Sequence, residues 1–464
     1  MELPTGPYPL PGVRMPTWMV RIDKEGACTT PVALTRLIEH VRGTAHSDVI
    51  VAVHGWNYDP SEAVDMYSDL LGKFERLCID YPPDRPFAPV FVGVLWPSIW
   101  MSFDKGPALA SVGAAAGVDA LVSLLADRVA AAGGAAGLAR AHALLAAPAI
   151  DDADAAELAR LIAPAFGVVA DEGAAFQGRD TVASDVLAMM RSMEMALPRS
   201  VPGADDQDID DFSRPSDHTD AHLVGASPRH AGQLGLLDPR HALRLFSLYQ
   251  MKSRAGTVGT NGVATLLRDL LDRSGTGGDD RGPRVHCIGH SFGCRVLLSA
   301  ICARPLPRPL ASLLLLQPAV SHLCFADAVA DAGPPGGYRE ALDSDRVIRP
   351  IVSTYSRRDL VLHDAFHLVL RRPGDLGEAQ IAADPLSTSA GSPPSRFAAL
   401  GGYGPRRAGQ ALIDPLPAVG TPMVLPQGDP PVVAFDGSRG SIKSHSDVTG
   451  PEMAWALHQL VFRH

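Results

Sequence analysis

Asp48-Val-Ile-Val-Ala-Val53 is an unbroken apolar run, rich in β-branched residues, that stops at His54-Gly55. A strand without polar alternation is covered on both faces, so the run predicts a central strand of a parallel sheet. Ahead of it, Pro31 to Val41 reads as a helix with Val32, Leu34, Leu37 and Ile38 largely on one side. Ser61 to Leu77 repeats the helical pattern, and Val90-Phe-Val-Gly-Val-Leu95 repeats the buried strand, closed by Trp96-Pro97-Ser98. Strand and helix alternate, which predicts an α/β protein: a mostly parallel central sheet flanked by helices.

The pattern changes between about Ile99 and His241. Alanine dominates to about residue 175, after which glycine, aspartate and serine dilute any periodicity. This predicts a large, Ala-rich, mainly helical insertion over 105–240, a candidate cap, between an N-terminal core segment 1–104 and a C-terminal core segment 241–464. Ala108 to Ala126 carries one charge, Asp119, and contains Gly113-Ala-Ala-Ala-Gly117, which would let two helices approach closely. Its length would cross a bilayer. Its alanine and glycine content, with only Trp100, Lys105 and Arg128 as anchors, fits a buried or cap helix better. Asp205-Asp-Gln-Asp-Ile-Asp-Asp211 looks like a calcium loop but lacks the glycine and terminal glutamate at the required offsets, so it reads as a solvated loop.

Order resumes at Ala242 to Gly256 and in the helical Gly262 to Arg273. Val285-His-Cys-Ile288, Ser312 to Leu316, Ile351 to Tyr355 and Val432 to Phe435 follow as strands, and Arg295 to Cys302 as a helix. No internal repeat is present at a solenoid period.

Hydrophobic residues are 46% of the 464 and charged residues 20%, the composition of a chain that buries a large core. The net charge of −10 comes without a Lys/Arg cluster, which sets nucleic acid aside as a partner. Met1 to Pro9 shows no basic segment leading into an apolar core, so a cytoplasmic location is the expectation. The six cysteines form no C-x-x-C pair and have no histidines at zinc spacing, so they read as free, mostly buried thiols. Cys287 and Cys294 bracket a serine motif, where packing beside a buried strand is a better reading than redox chemistry.

That motif is Gly289-His-Ser-Phe-Gly293. With 44 glycines in the chain, a chance G-x-S-x-G arises roughly once in a few such sequences, so its setting matters. Here it joins a strand to a helix. Such a reversal strains its apex residue, and the flanking glycines remove side chains that would collide, exposing Ser291 Oγ as a nucleophile. Phe292 N–H, at the helix start, is one candidate oxyanion donor. Trp56 N–H, in His54-Gly55-Trp56-Asn57 after the early strand, is the other.

A serine hydroxyl needs a base. His445 lies in a loop between the last strand and a helix marked by Thr449, Pro451 and Glu452, the first and last at capping-box spacing. Its rivals are His290, tied to the turn and expected to point away, and His458, inside the final helix. The acid that holds the base is Asp359, after the strand at Ile351, with Asp364 as the register alternative. A helix cap or an ion pair with Arg357 or Arg358 is the bland reading of either.

Together these residues resemble the α/β-hydrolase family: a His-Gly oxyanion segment, a G-x-S-x-G elbow, then acid, then histidine in chain order. Val53-His-Gly-Trp56, Val94-Leu-Trp-Pro-Ser98 and Met251 to Gly259 resemble, more narrowly, largely uncharacterised bacterial serine hydrolases of this fold. The resemblance covers roughly 30–104 and 240–464. It implies an esterase acting through an acyl-serine intermediate without metal or organic cofactor; the apolar insertion favours a hydrophobic ester. Two alternatives carry different expectations: a lipase or phospholipase docking on a membrane surface through Ala108 to Ala126, and a non-catalytic binding scaffold of the same fold.

Overall fold

The computed structural model describes residues 4–43, 46–99, 134–169, 183–184, 186–187, 190–191, 237–239, 241–272, 282–330, 333–359, 361–366 and 396–463. The segments 108–126 and 205–211 lie outside the described residues. The chain divides into two compact units: Met1–Ile99 with Arg254–His367 and Arg372–His464, and Trp100–Ser253 with Leu368–Arg371.

The first unit is built on one eight-stranded, all-parallel sheet: β1 (Thr17–Arg21), β2 (Asp48–Val53), β3 (Pro89–Leu95), β4 (Arg284–His290), β5 (Ser312–Leu316), β6 (Ile351–Tyr355), β7 (Ala411–Ile413) and β8 (Val432–Asp436), in spatial order β1-β3-β2-β4-β5-β6-β8-β7. The six inner strands coincide with those predicted, to within two residues at each end. The edge strands β1 and β7 escaped prediction: β7 has three residues, none fully buried, and β1 lacks a long apolar run.

Helices of the first unit flank the sheet: α1 (Pro31–Gly43), α2 (Pro60–Asp80) and, after α3 (Asp152–Val169) of the second unit and α4 (His241–Thr257), which passes into the first unit at Arg254, α5 (Ala264–Leu271), α6 (Phe292–Ala303) and α7 (Pro451–Val461). The β2-to-β3 crossover runs toward one edge and the β4-to-β5 crossover toward the other. Right-handed connections then put α2 and α6 on opposite faces. On the α2 face, Ile50, Phe91, Ile288, Leu314, Val352 and Phe435 pack against α2 and α7 residues such as Tyr67, Leu71, Phe74, Met453 and Leu457. Alternate strand residues, Val49, Val51, Val92 and Val285, are also fully buried, so the apolar runs are covered on both sides as their pattern requires.

Three local readings are corrected. In α1 the buried stripe is Ala33, Leu37 and Val41, while Val32 is 52% exposed; spacing of i, i+4, i+8 decides the face, not the size of the residue. The predicted helix from Gly262 begins as a π-helical turn at Val258–Val263 and becomes α-helical only at Ala264. A Cβ on Gly259 would lie 2.3 Å from Val296 O, so that turn presses its backbone onto α6. The capping box at Thr449 and Glu452 does not form: Gly450 is the N-cap of α7, with Pro451 in the first turn. A true capping box opens α2 instead, where Asp59 accepts from Ser61 and Glu62 N–H and Glu62 accepts from Asp59 N–H.

In the second unit, Asp151 caps α3 at Asp154 N–H (2.8 Å) and Arg140 pairs with Glu157 (2.9 Å). Leu144, Leu145, Leu158 and Ile162 are buried there. Among the described residues of the chain, no helix is long and apolar enough to cross a membrane.

At the amino ends of the central strands a buried carboxylate is fully paired. Asp48 takes both guanidinium nitrogens of Arg85 (2.7 and 2.8 Å), Arg284 Nε (3.3 Å) and His286 Nε2 (3.0 Å), and His286 Nδ1 meets Ser312 Oγ (2.8 Å). Burial pushes the Asp48 carboxyl up, but hydrogen bonds from His286 and Arg85 outweigh it and hold it below the usual range. Burial holds His286 below its ordinary value, against the pull of Asp48. Asp48→Ala strands buried donors and is expected to cost about 3 kcal/mol at pH 7 in urea denaturation. Because both folded-state values are depressed, the cluster contributes fully above about pH 6.5 and weakens as pH falls, first through His286 and then through Asp48. The gap between wild type and variant should close only at acid pH, where Asp48 itself is protonated.

Candidate active site

The strand order reverses between β2 and β4: the chain leaves β2 toward β3 on one side and leaves β4 toward β5 on the other. Loops diverging from adjacent parallel strands leave a crevice at their carboxyl ends, the usual place for a ligand in such sheets. Both the His54-Gly55 segment and the Gly289-to-Gly293 motif end there, with Val53 in register with Gly289.

Ser291 is the turn between β4 and α6, with φ 53° and ψ −122°. This left-handed backbone is costly for a side-chain-bearing residue and persists only where the surroundings enforce it. Here they do. Ser291 N–H donates to Leu316 O (3.1 Å), and its carbonyl accepts from Cys294 N–H (3.1 Å) and Ala319 N–H (3.2 Å). A Cβ on Gly293 would lie 2.2 Å from Val53 O and 2.5 Å from His54 O; one on Gly55 would lie 2.6 Å from His290 Nδ1 and 3.0 Å from Ser291 Cβ. The two loops are in contact only because both positions are glycine.

His445 arrives from the loop after β8 and Asp359 from the loop after β6. His445 Nε2 is 2.8 Å from Ser291 Oγ, and His445 Nδ1 is 2.7 Å from Asp359 Oδ2. Three residues chosen from separate motifs thus form one continuous hydrogen-bonded chain. Asp359 is fully buried, and its other oxygen accepts from Leu362 N–H (3.0 Å). The cap reading of this residue therefore holds together with its contact to His445, and the alternative of an ion pair to Arg357 or Arg358 is not among its contacts. Asp364 belongs to the π-helical turn Val361–Ala365, and its side chain lies outside the described residues.

His458 lies within α7, bonded to Tyr81 O (2.9 Å). His290 does not point away from the site. Its Nε2 donates to His445 O (3.0 Å), and the two rings are 5.0 Å apart. A residue on the last position of a strand has two faces to choose from, and Gly55 vacates the space that His290 fills. Burial and the neighbouring His445 hold it well below the ordinary histidine value, so it is a neutral imidazole.

His54 is a structural member of its loop. Trp96 N–H donates to His54 Nε2 (3.2 Å), which leaves Nδ1–H to donate to Gly55 O (3.0 Å). Trp96 Nε1–H donates to His54 O (2.8 Å) and the two rings stack. Tyr67 OH accepts from His54 N–H (2.9 Å) and donates to Val94 O (2.7 Å). Ser98 grips the same loop: its carbonyl accepts from Asn57 N–H, and its hydroxyl accepts from Tyr58 N–H and donates to Tyr58 O. Trp96-Pro97-Ser98 is held in turn by Arg254 Nη1, which donates to Pro97 O (2.8 Å) and Ile99 O (3.1 Å). The three motifs that looked separate in the sequence are one clamp on the loop that carries Trp56. The rings of Trp56 and Phe292, the two candidate oxyanion donors, lie 6.5 Å apart.

Cys287 and Cys294 are buried, and burial pushes both thiols up, so they stay protonated. Cys294 Sγ–H donates to Gly289 O (3.1 Å), packing the turn from beneath. Cys324 is also buried, while Cys28, Cys78 and Cys302 are half-buried. Among the described residues no three His, Cys, Asp or Glu side chains are grouped to hold a metal ion.

Gln317 was not picked out by the motif reading. It follows β5 at φ 44°, is fully buried, and its Nε2 reaches Asp359 Oδ2 (3.1 Å) and Ser444 O (2.8 Å). The available signal was a polar amide at the carboxyl end of a five-residue apolar strand. No family model, curated protein or solved structure matches the chain.

Burial lowers His54 from its ordinary 6.5 to about 4. A depressed folded value means stability complete above about pH 6.5 and lost as pH falls toward 4, up to about 3 kcal/mol at 1.36 kcal/mol per unit. His54→Asn is expected to be less stable at pH 7.5 and to show a flatter stability profile between those limits, measured by urea denaturation across pH.

Proposed function

We propose that this protein is a serine hydrolase of the α/β-hydrolase fold that cleaves carboxylic esters through an acyl-serine intermediate. The observation that carries this reading is the chain Ser291 Oγ, His445 Nε2 (2.8 Å), His445 Nδ1, Asp359 Oδ2 (2.7 Å), mounted on a serine at φ 53°. Asp359 is an acceptor only, so it fixes the tautomer with hydrogen on Nδ1 and leaves the Nε2 lone pair facing the serine hydroxyl. Such a serine is a nucleophile with its base already in place.

In the proposed reaction Ser291 Oγ attacks the ester carbonyl as its proton passes to His445 Nε2. The carbonyl oxygen gains the negative charge, and the N–H groups of Trp56 and Phe292 are assigned to stabilise it. Collapse of the tetrahedral species expels the alcohol, which takes the proton from Nε2. Water then attacks the acyl carbonyl with His445 again as base, the bond to Ser291 Oγ breaks as that oxygen takes the proton back from Nε2, and the carboxylic acid departs. Asp359 orients the imidazolium throughout. The half-buried Trp56 ring beside Phe292 offers an apolar neighbour to the acyl group, in keeping with an uncharged, hydrophobic ester. Strain stored at Ser291 and a complete relay favour catalysis over a binding scaffold.

The test is hydrolysis of p-nitrophenyl esters of increasing acyl length, with a fluorophosphonate label. Covalent labelling at Ser291 is expected, with faster turnover of medium-chain esters than of acetate. Ser291→Ala should abolish labelling, and it and His445→Ala should each lower kcat by up to about 10⁶-fold. Asp359→Asn, which favours the wrong tautomer, should lower kcat by about 10⁴-fold. Folded protein that leaves Ser291 unlabelled, or Ser291→Ala that retains activity, would overturn the assignment.

A further inference from the structure

The loops carrying Asp359 and His445 are separated by 86 residues in the chain, yet a single side chain bonded to both ties them together. We infer that Gln317 is a positioning residue for the acid and base, a clip that sets the register between Asp359 and the main chain entering His445; this rests on the hydrolase reading above.

The orientation of the Gln317 amide follows from its neighbours. Nε2 lies 3.1 Å from Asp359 Oδ2 and 2.8 Å from Ser444 O, both acceptors, so the nitrogen and not the oxygen must face them. Its two hydrogens are both used. One goes to the same carboxylate oxygen that accepts from His445 Nδ1, and the other to the carbonyl of the residue before His445. Asp359 Oδ2 therefore has two donors and Oδ1 has Leu362 N–H, leaving the carboxylate little freedom to rotate.

The backbone beneath the clip is equally determined. Gln317 has φ 44°, a conformation that only strong local constraint maintains in a residue other than glycine. Its N–H donates to Thr354 Oγ1 (3.1 Å) on β6, the strand leading to Asp359. Gln317 Oε1, by contrast, is buried with no partner among the described residues. An amide held only for packing would be exchanged for an apolar residue at no loss. One that keeps both donors engaged and leaves its acceptor unmet is retained for the donors. Among the described residues, the titratable groups in contact with His445 are Asp359 and His290, with Lys443 and Asp447 beside it in the loop; Asp447 is occupied by Lys443 and Ser444 N–H.

The test compares Gln317→Met, which keeps volume and loses both donors, with Gln317→Glu, which keeps the shape and restores one donor when protonated. In Gln317→Met we expect kcat to fall about 10- to 100-fold with KM within about twofold, and fluorophosphonate labelling of Ser291 to slow by a similar factor, since the loss falls on alignment and not on ester binding. Proton NMR of folded protein should show the low-field imidazole proton of the His445–Asp359 bond exchanging faster with water, a readout independent of turnover. For Gln317→Glu, two facing carboxyls share a proton more readily as pH falls, so its activity relative to wild type should rise from about pH 8 to about pH 6. If Gln317→Met does not fold, Gln317→Glu decides alone, by its low-field proton and this pH-dependent rescue. Unchanged kcat and proton exchange in a folded variant, or no pH-dependent rescue, would overturn the clip. An inactive, unlabelled wild type would overturn the hydrolase reading instead, and the proton-exchange comparison would still judge the clip.

Discussion

The closest backbone approach among the described glycines is that of Gly293 to the carbonyls of Val53 and His54, where even one methyl group would lie 2.2 Å from an oxygen. It holds the start of α6 against the end of β2. Parallel pairing of β2 with β4 brings the two strand ends level, Val53 beside Gly289, but pairing alone would leave their loops free to diverge. The absence of a side chain at Gly293 and Gly55 lets them meet. Once they meet, Ser291 has nowhere to turn except into its strained φ, with its hydroxyl toward His445.

The loop on the other side of that contact is made rigid from three directions. Neutral His54 is bonded through both ring nitrogens, Tyr67 reaches it from α2, and Ser98 closes over Asn57 and Tyr58. Each group is buried, so each hydrogen bond also removes a desolvation cost that an unpaired polar atom would carry. The same strands divide their duties by end. At the amino ends, the Asp48 carboxylate is met on both oxygens by Arg85, Arg284 and His286, with Arg85 Nε left over among the described residues. At the carboxyl ends, strain remains at Ser291 and Gln317, and Gln317 Oε1 and His290 Nδ1 are buried without a partner among the described residues. Strain of the kind seen at Ser291 is kept where geometry is held for chemistry, which is consistent with the proposed hydrolase.

Much of the architecture was legible in the chain because inner strands of a parallel sheet are apolar on both faces, and Asp48–Val53, Pro89–Leu95 and Ser312–Leu316 show this without ambiguity. β1 and β7 were not, since an edge strand is held by one neighbour and needs no distinctive pattern. Ser291, Asp359 and His445 could be picked out because each follows a recognisable strand. Gln317 could not, for its importance lies in what its amide touches. The misreading of His290 has a similar source: which way a strand-end side chain turns depends on a cavity left by a glycine more than two hundred residues earlier.

By itself the sequence determined the alternation of strand and helix, the turn at Gly289 to Gly293, and which residues stand at the carboxyl ends of strands, because periodicity and glycine placement are local properties of the chain. Only the tertiary structure decided that His54, Trp96, Ser98 and Arg254 act as one clamp, that His290 lies against His445, and that Gln317 joins the acid loop to the histidine loop. Those are contacts between segments tens to hundreds of residues apart. Hydrogen bonds of this kind depend on distances of a few ångströms that the packing of the sheet and its helices establishes.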